Sequence, residues 1–216
     1  MYKVLVVFTF LLLSFNCSNV LHTANLSSDE PEFEGDTIVP YKAVDSYEQA
    51  LQVWKTAEDI NAWIAANFTY DMKRAMSFSE NQRTKNERIS IYDPSEFFEG
   101  KAGVCVDLVR FGGETLRRID PNCDPKYLMI KFDPIQIKGD TLRLHWLVSF
   151  RRDGKIYFFS DSKRPGIIAG PYNDTQAFIK EYEQYRGRKI VSFRELESYQ
   201  KQRATQALKQ QAPEIP

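Results

Sequence analysis

Imidazole is scarce in this chain. Of 216 residues two are histidines, and His22 falls within or just after an apolar leader, which leaves His145 as the one dependable imidazole of the mature domain. Cysteine is scarce as well: of three, Cys17 closes the leader, so Cys105 and Cys123 are the thiols of the domain. A structural zinc site takes four ligands from Cys and His, and Cys105, Cys123 and His145 do not supply them without carboxylates. Neither charge prevails, with 29 Lys+Arg against 29 Asp+Glu, so no basic field exists to hold a phosphate backbone by counterion release. With 10 Gly and 10 Pro there is no low-complexity bias, and neither a solenoid period nor a heptad run occurs. A Gly-rich phosphate loop after a strand and a Gly-x-Ser-x-Gly elbow are both missing. These absences leave a globular domain for which no cofactor, metal or nucleic-acid partner is expected.

What is present begins with an address. Lys3 precedes the apolar run Val4 to Phe15, which is too short to span a bilayer as a mature helix. Residues 1–17 read as an export signal. Cys17 directly after the run resembles a bacterial lipobox, in which that Cys becomes an acylated N-terminus. Simple cleavage and a eukaryotic secretory signal are the alternatives, and the last would make Asn67 and Asn173, each in an Asn-x-Thr triplet, glycan acceptors. Residues 18–40 are polar and acidic, with too few apolar groups to bury, and read as a linker. The expected location is the periplasm or cell envelope as a lipoprotein, or the exterior as a secreted protein, with membrane contact only through a lipid at Cys17.

Residues 41–191 form the expected domain. Ser46 opens a helix on which Ala50, Leu51, Trp54, Ala57, Ile60, Trp63 and Ile64 recur at helical spacing through Asn67. The polar stretch from Asp71 to Arg88 fits either a loop or a weak helix. Asp93 to Gly103 is a turn-rich approach to a second helix, with Val106, Val109, Leu116 and Ile119 as its apolar positions and Asp120-Pro121 as its stop. Gly112-Gly113 weakens its middle. Then the period changes, and Tyr127–Phe132, Thr141–Phe150 and Lys155–Asp161 read as antiparallel strands. Residues 192–216, charged and Gln-rich, suit an exposed terminal helix and tail. Helices followed by a meander make the class α+β.

Chemistry converges on one thiol and one imidazole. Cys105 follows Gly103-Val104 at a helix start, where unpaired backbone N–H groups and the positive dipole end favour a thiolate. The plainer alternatives are a small buried residue or a disulfide with Cys123, which an exported protein can form. Asp107, two residues along the helix, is read as a structural carboxylate turned toward the first helical turn. A three-residue Arg152-Asp153-Gly154 loop would pair Arg151 with Lys155 and set His145 opposite Asp161 on one face. A two-residue Asp153-Gly154 loop would send Asp161 to the other face, and the pairing argument would fail. In the first register, Cys105, His145 and Asp161 fit nucleophile, base and orienter. The Cys105 N–H is a first oxyanion donor, with a second expected from the Asn67–Tyr70 region.

Trp63-Ile64 with Asn67 and Tyr70, Phe97 and Gly100, Gly103-Val104-Cys105-Val106-Asp107, Leu142 to Val148 around His145-Trp146, and Phe159-Ser160-Asp161 together resemble the transglutaminase-like superfamily over roughly residues 46–170. That resemblance implies a papain-like fold with helices packed on an antiparallel meander. It also implies a Cys105-His145-Asp161 triad and a cysteine peptidase, amidase or transamidase acting on a protein or peptide substrate. The Pro that commonly follows the Asp is absent here. A catalytically silent binding or assembly module of the cell envelope is the competing expectation.

Overall fold

The computed structural model describes residues 40–80, 89–137, 139–160 and 166–197. Its first helical stretch is two helices rather than one, α1 (Tyr47–Val53) and α2 (Ala57–Asn67). Ser46 caps α1 through the Gln49 N–H, as the sequence predicts. The break comes from Thr56: its hydroxyl accepts from Asp59 N while the Asp59 carboxylate accepts from Thr56 N, a reciprocal box that starts a new helix inside an unbroken apolar period. Trp54, extended at the break, stays fully buried.

A two-residue strand β1 (Thr69–Tyr70) leads into α3 (Met72–Ser77), so the early part of the undecided polar stretch is helical. The approach to the second long helix is itself a helix, α4 (Pro94–Gly100), with Asp93 at the cap, Pro94 in the first turn and Lys101 closing it at φ 52°. Strand β2 (Ala102–Gly103) runs parallel to β1, then α5 (Cys105–Ile119) and a 3₁₀ turn (Pro121–Cys123) follow.

Five antiparallel strands make the sheet: β3 (Lys126–Ile137), β4 (Asp140–Arg152), β5 (Lys155–Phe159), β6 (Ala169–Tyr172) and β7 (Ile190–Leu196). Their order is β6-β5-β4-β3-β7, a meander whose last strand returns beside its first. Helix α6 (Thr175–Arg186), capped by Asp174, precedes that return. The expected terminal helix from residue 192 is corrected at its start: Ser192 to Leu196 lie in β7, hydrogen-bonded to β3, because Ile190, Val191 and Phe193 supply strand-forming side chains. Residues beyond 197 are outside the described part.

Alternation on the central strands sends successive side chains to opposite faces. On one face Tyr127, Trp146, Val148, Phe150 and Phe159 meet α1, α2, α4 and α5 in an aromatic-rich core. On the other, Leu128, Ile130, Phe132, Leu147 and Phe158 meet α6 through Phe178, Ile179 and Tyr182. This is an α+β architecture with the helical layer laid on a meander, as the sequence predicts.

The Gly112-Gly113 pair costs α5 roughly 1 kcal/mol per residue relative to alanine. Close approach explains it: a Cβ on Gly112 would lie 2.6 Å from Ser160 Oγ, and one on Gly113 2.6 Å from the Tyr127 ring. The helix needs both glycines to seat Cys105 against the sheet.

Candidate functional site

Cys105 is the first residue of α5, 9% exposed, where first-turn N–H groups have no intrahelical acceptor. Its neighbourhood is assembled by the short parallel ladder. Thr69 N donates to Lys101 O and Asp71 N to Gly103 O, both at 2.8 Å, which sets Tyr70 beside Gly103. Tyr70, Phe78, Cys105, Leu142, Leu144 and Trp146 line a slot of about 60 Å³. That volume takes a few waters or one small group and is well below an ordinary ligand pocket. Tyr70 lines the slot together with Cys105, whereas Asn67 uses its amide on Trp63 O.

Asp107 organises the helix start. It is fully buried and accepts from Arg74 Nε at 2.7 Å, Arg74 Nη2 at 2.8 Å, Tyr92 N at 3.0 Å and Val104 N at 3.0 Å. The carboxylate turns back on the first turn, and it ties α3 and the Tyr92 segment to α5. A Cβ on Gly103 would sit 3.0 Å from Asp107 Cβ and from the Phe97 ring, so a side chain there would crowd both.

His145 is placed elsewhere. It is fully buried, its ring stacks 6.0 Å from Tyr182 at 22° and lies 6.3 Å from Phe132, and Nε2 is 3.1 Å from Tyr182 Oη. Arg186 Nη1 donates to that same oxygen at 3.1 Å. These partners belong to the α6 face. Trp146, the next residue, lines the Cys105 slot on the α5 face, so the β4 backbone stands between thiol and imidazole.

The hairpin register is corrected too. Arg152 pairs with Lys155 and Val148 with Phe159, one residue off the expected Arg151–Lys155 pairing. Asp153 and Gly154 have φ of 52° and 72°, the two positive values of a two-residue type I′ turn. That turn's twist matches the flanking strands, and it removes the ladder that would oppose His145 to Asp161. Asp161 lies outside the described residues, as does Cys17.

Neither Cys105 nor Cys123 is in a disulfide. They sit at opposite ends of the 15-residue α5, about 21 Å long at 1.5 Å per residue, so the alternative of a bridge between them fails on reach. Cys123 Sγ is 3.0 Å from Asp120 O, and burial, with the Asp120 carboxylate adding to it, pushes its pKa from 9.0 up to about 12. A raised thiol pKa favours the folded state in full below the ordinary value and loses that contribution as pH climbs toward 12. Unfolding titrations between pH 9 and 12 are therefore expected to show stability falling with pH, less steeply in Cys123→Ala. Burial also raises the Tyr47 and Tyr127 phenols, so part of the slope persists in that variant.

Among the described residues no His/Cys/Asp/Glu group could hold a metal ion, and no helix is long and apolar enough to cross a membrane. A helix opened by Cys105 and laid on an antiparallel meander makes an α+β domain. The chain belongs to the transglutaminase-like domain family, whose family model matches residues 42–190. Cysteine-dependent acyl transfer and peptidase chemistry is the activity associated with that family. No curated protein matches the sequence.

Proposed function

We propose that this chain uses the transglutaminase-like fold as an exported binding or assembly domain of the cell envelope, with the Cys105 slot as its recognition feature. One observation carries the reading: His145, the one imidazole of the domain, faces α6 while Cys105 faces the opposite side of the sheet. A general base works within hydrogen-bond reach of the thiol, about 3 Å or one water away. Bringing His145 there takes a register slip of β4, which would turn its core residues inside out.

The acyl-transfer reading, with Cys105 as nucleophile, His145 as base and Asp161 as orienter, keeps one observation in its favour. The thiol opens a 15-residue helix beside Tyr70, at the end where a thiolate and an oxyanion are stabilised. Site-resolved labelling of the full chain with a limiting iodoacetamide dose across pH, in wild type, Cys105→Ala, Cys123→Ala and His145→Gln, separates the readings. The binding reading expects Cys105 to follow an ordinary thiol titration that His145→Gln leaves unchanged. Fast labelling that persists well below pH 8 and slows in His145→Gln overturns it in favour of the triad. Fast labelling indifferent to His145 supports a thiolate nucleophile served by another base.

A further inference from the structure

The residues that follow α3 border the Cys105 slot. Phe78 and Glu80 contribute to its lining from one side, while Leu142, Arg143 and Leu144 of β4 contribute from the other. The segment is held at two places by different means. Just before it, in α3, the Arg74 guanidinium is bonded twice to buried Asp107 and lies 3.8 Å over the Tyr92 ring and 5.2 Å over Phe78. Within it, the Glu80 carboxylate takes two bonds from the Arg143 guanidinium, and Ser79 Oγ donates to Asp140 Oδ1 at 3.1 Å.

The two fastenings differ in what they face. Asp107 is fully enclosed, so its pair is costly to break. Glu80 and Arg143 are 31% and 26% exposed, so water and salt compete for theirs. The first behaves as a hinge post and the second as a latch. With the latch shut, the slot of about 60 Å³ is too small for a peptide main chain or an acyl group with its leaving amine.

We propose that Phe78–Glu80 is a strap that closes the Cys105 slot, latched by the Glu80–Arg143 pair and hinged at Arg74, and that releasing the latch opens the way to the thiol. The strap governs access whether the slot binds or reacts, so its test is independent of thiol activation. An ion pair of this exposure sustains up to about a fivefold shift between closed and open forms.

The test is site-resolved labelling in the full chain with a bulky maleimide and with the small reagent methyl methanethiosulfonate, using Cys123 as an internal monitor of the fold. Glu80→Arg and Arg143→Glu are each expected to speed bulky labelling of Cys105 by about fivefold, with a smaller gain for the small reagent and no labelling of Cys123. The double swap Glu80→Arg/Arg143→Glu restores the opposed charges and returns the rate toward wild type. Glu80→Gln and Arg143→Gln, milder changes, should move it in the same direction as the single reversals. Unchanged rates in the single variants, no recovery in the double swap, or Cys123 labelling in step with Cys105 overturns the strap. The last result would mean that the whole helical layer opens rather than its edge.

Discussion

Asp107→Ala is expected to lower the unfolding free energy by about 3–5 kcal/mol, read as a fall in the urea midpoint at unchanged m. The reason is what it leaves behind. Arg74, with its side chain 12% exposed, keeps its charge and loses both carboxylate bonds, while Tyr92 N and Val104 N lose their acceptor. Each orphaned buried donor costs about 1–3 kcal/mol on its own, and water reaches this site poorly. Arg74→Lys should be milder yet still damaging, because an ammonium cannot span two carboxylate oxygens or stack on Tyr92 as a planar guanidinium does. The Glu58–Arg152 pair, 46% and 42% exposed at 2.7 Å, is the contrast: Glu58→Ala should change stability by less than about 1 kcal/mol. A small effect at Asp107 would show that solvent enters the α5 start. That outcome would also weaken the hinge assigned to Arg74.

The Asp107 result bears on how the site could be read from sequence. Position N3 of a helix is where a carboxylate turns back on the first turn, so its role was legible. Its partner Arg74 was not, because 33 residues with helix α4 among them separate the two and no local spacing links them. The same holds for Glu80 and Arg143, 63 residues apart in the chain.

Cys105 at the start of α5 was legible because Gly103-Val104-Cys105 ends an extended piece and the apolar period begins there. Strand faces were harder. On β4, Leu142, Leu144, Trp146, Val148 and Phe150 alternate with His145, Leu147 and Ser149, and from His145 to Phe150 every residue is buried. A strand covered on both sides carries no polar alternation to say which face meets which helix. The hairpin held a usable signal in Asp153-Gly154, the dipeptide of a type I′ turn, yet Arg152 completes an equally plausible three-residue loop. One residue of difference decides which β5 residue each β4 residue opposes. Helix α6 was missed although its signals are local: Asp174 caps it through Ala177 N, and Phe178 and Tyr182 fall four apart on its buried side.

Phe111→Ala is the second substitution expected to cost about 3–5 kcal/mol. Phe111 is fully buried on α5, with ring centroids 4.9 Å from Phe97, 5.1 Å from Trp63, 6.1 Å from Tyr47 and 6.4 Å from Trp54. It is therefore the common contact through which α1, α2 and α4 hold α5, and its removal leaves a void bounded by rigid rings that relax poorly. Phe111→Leu should cost less, since it retains most of the volume. In a domain with 5–15 kcal/mol of stability the alanine change removes a large share, so transient detachment of the helical layer becomes measurable. Because Cys105 and Cys123 sit at the two ends of α5, that detachment should bring both thiols into reach together. Phe111→Ala should then label Cys105 and Cys123 in parallel, whereas breaking Glu80–Arg143 should label Cys105 alone. Labelling of Cys105 alone in Phe111→Ala would place the weak boundary of the layer at the helix start rather than along the aromatic core.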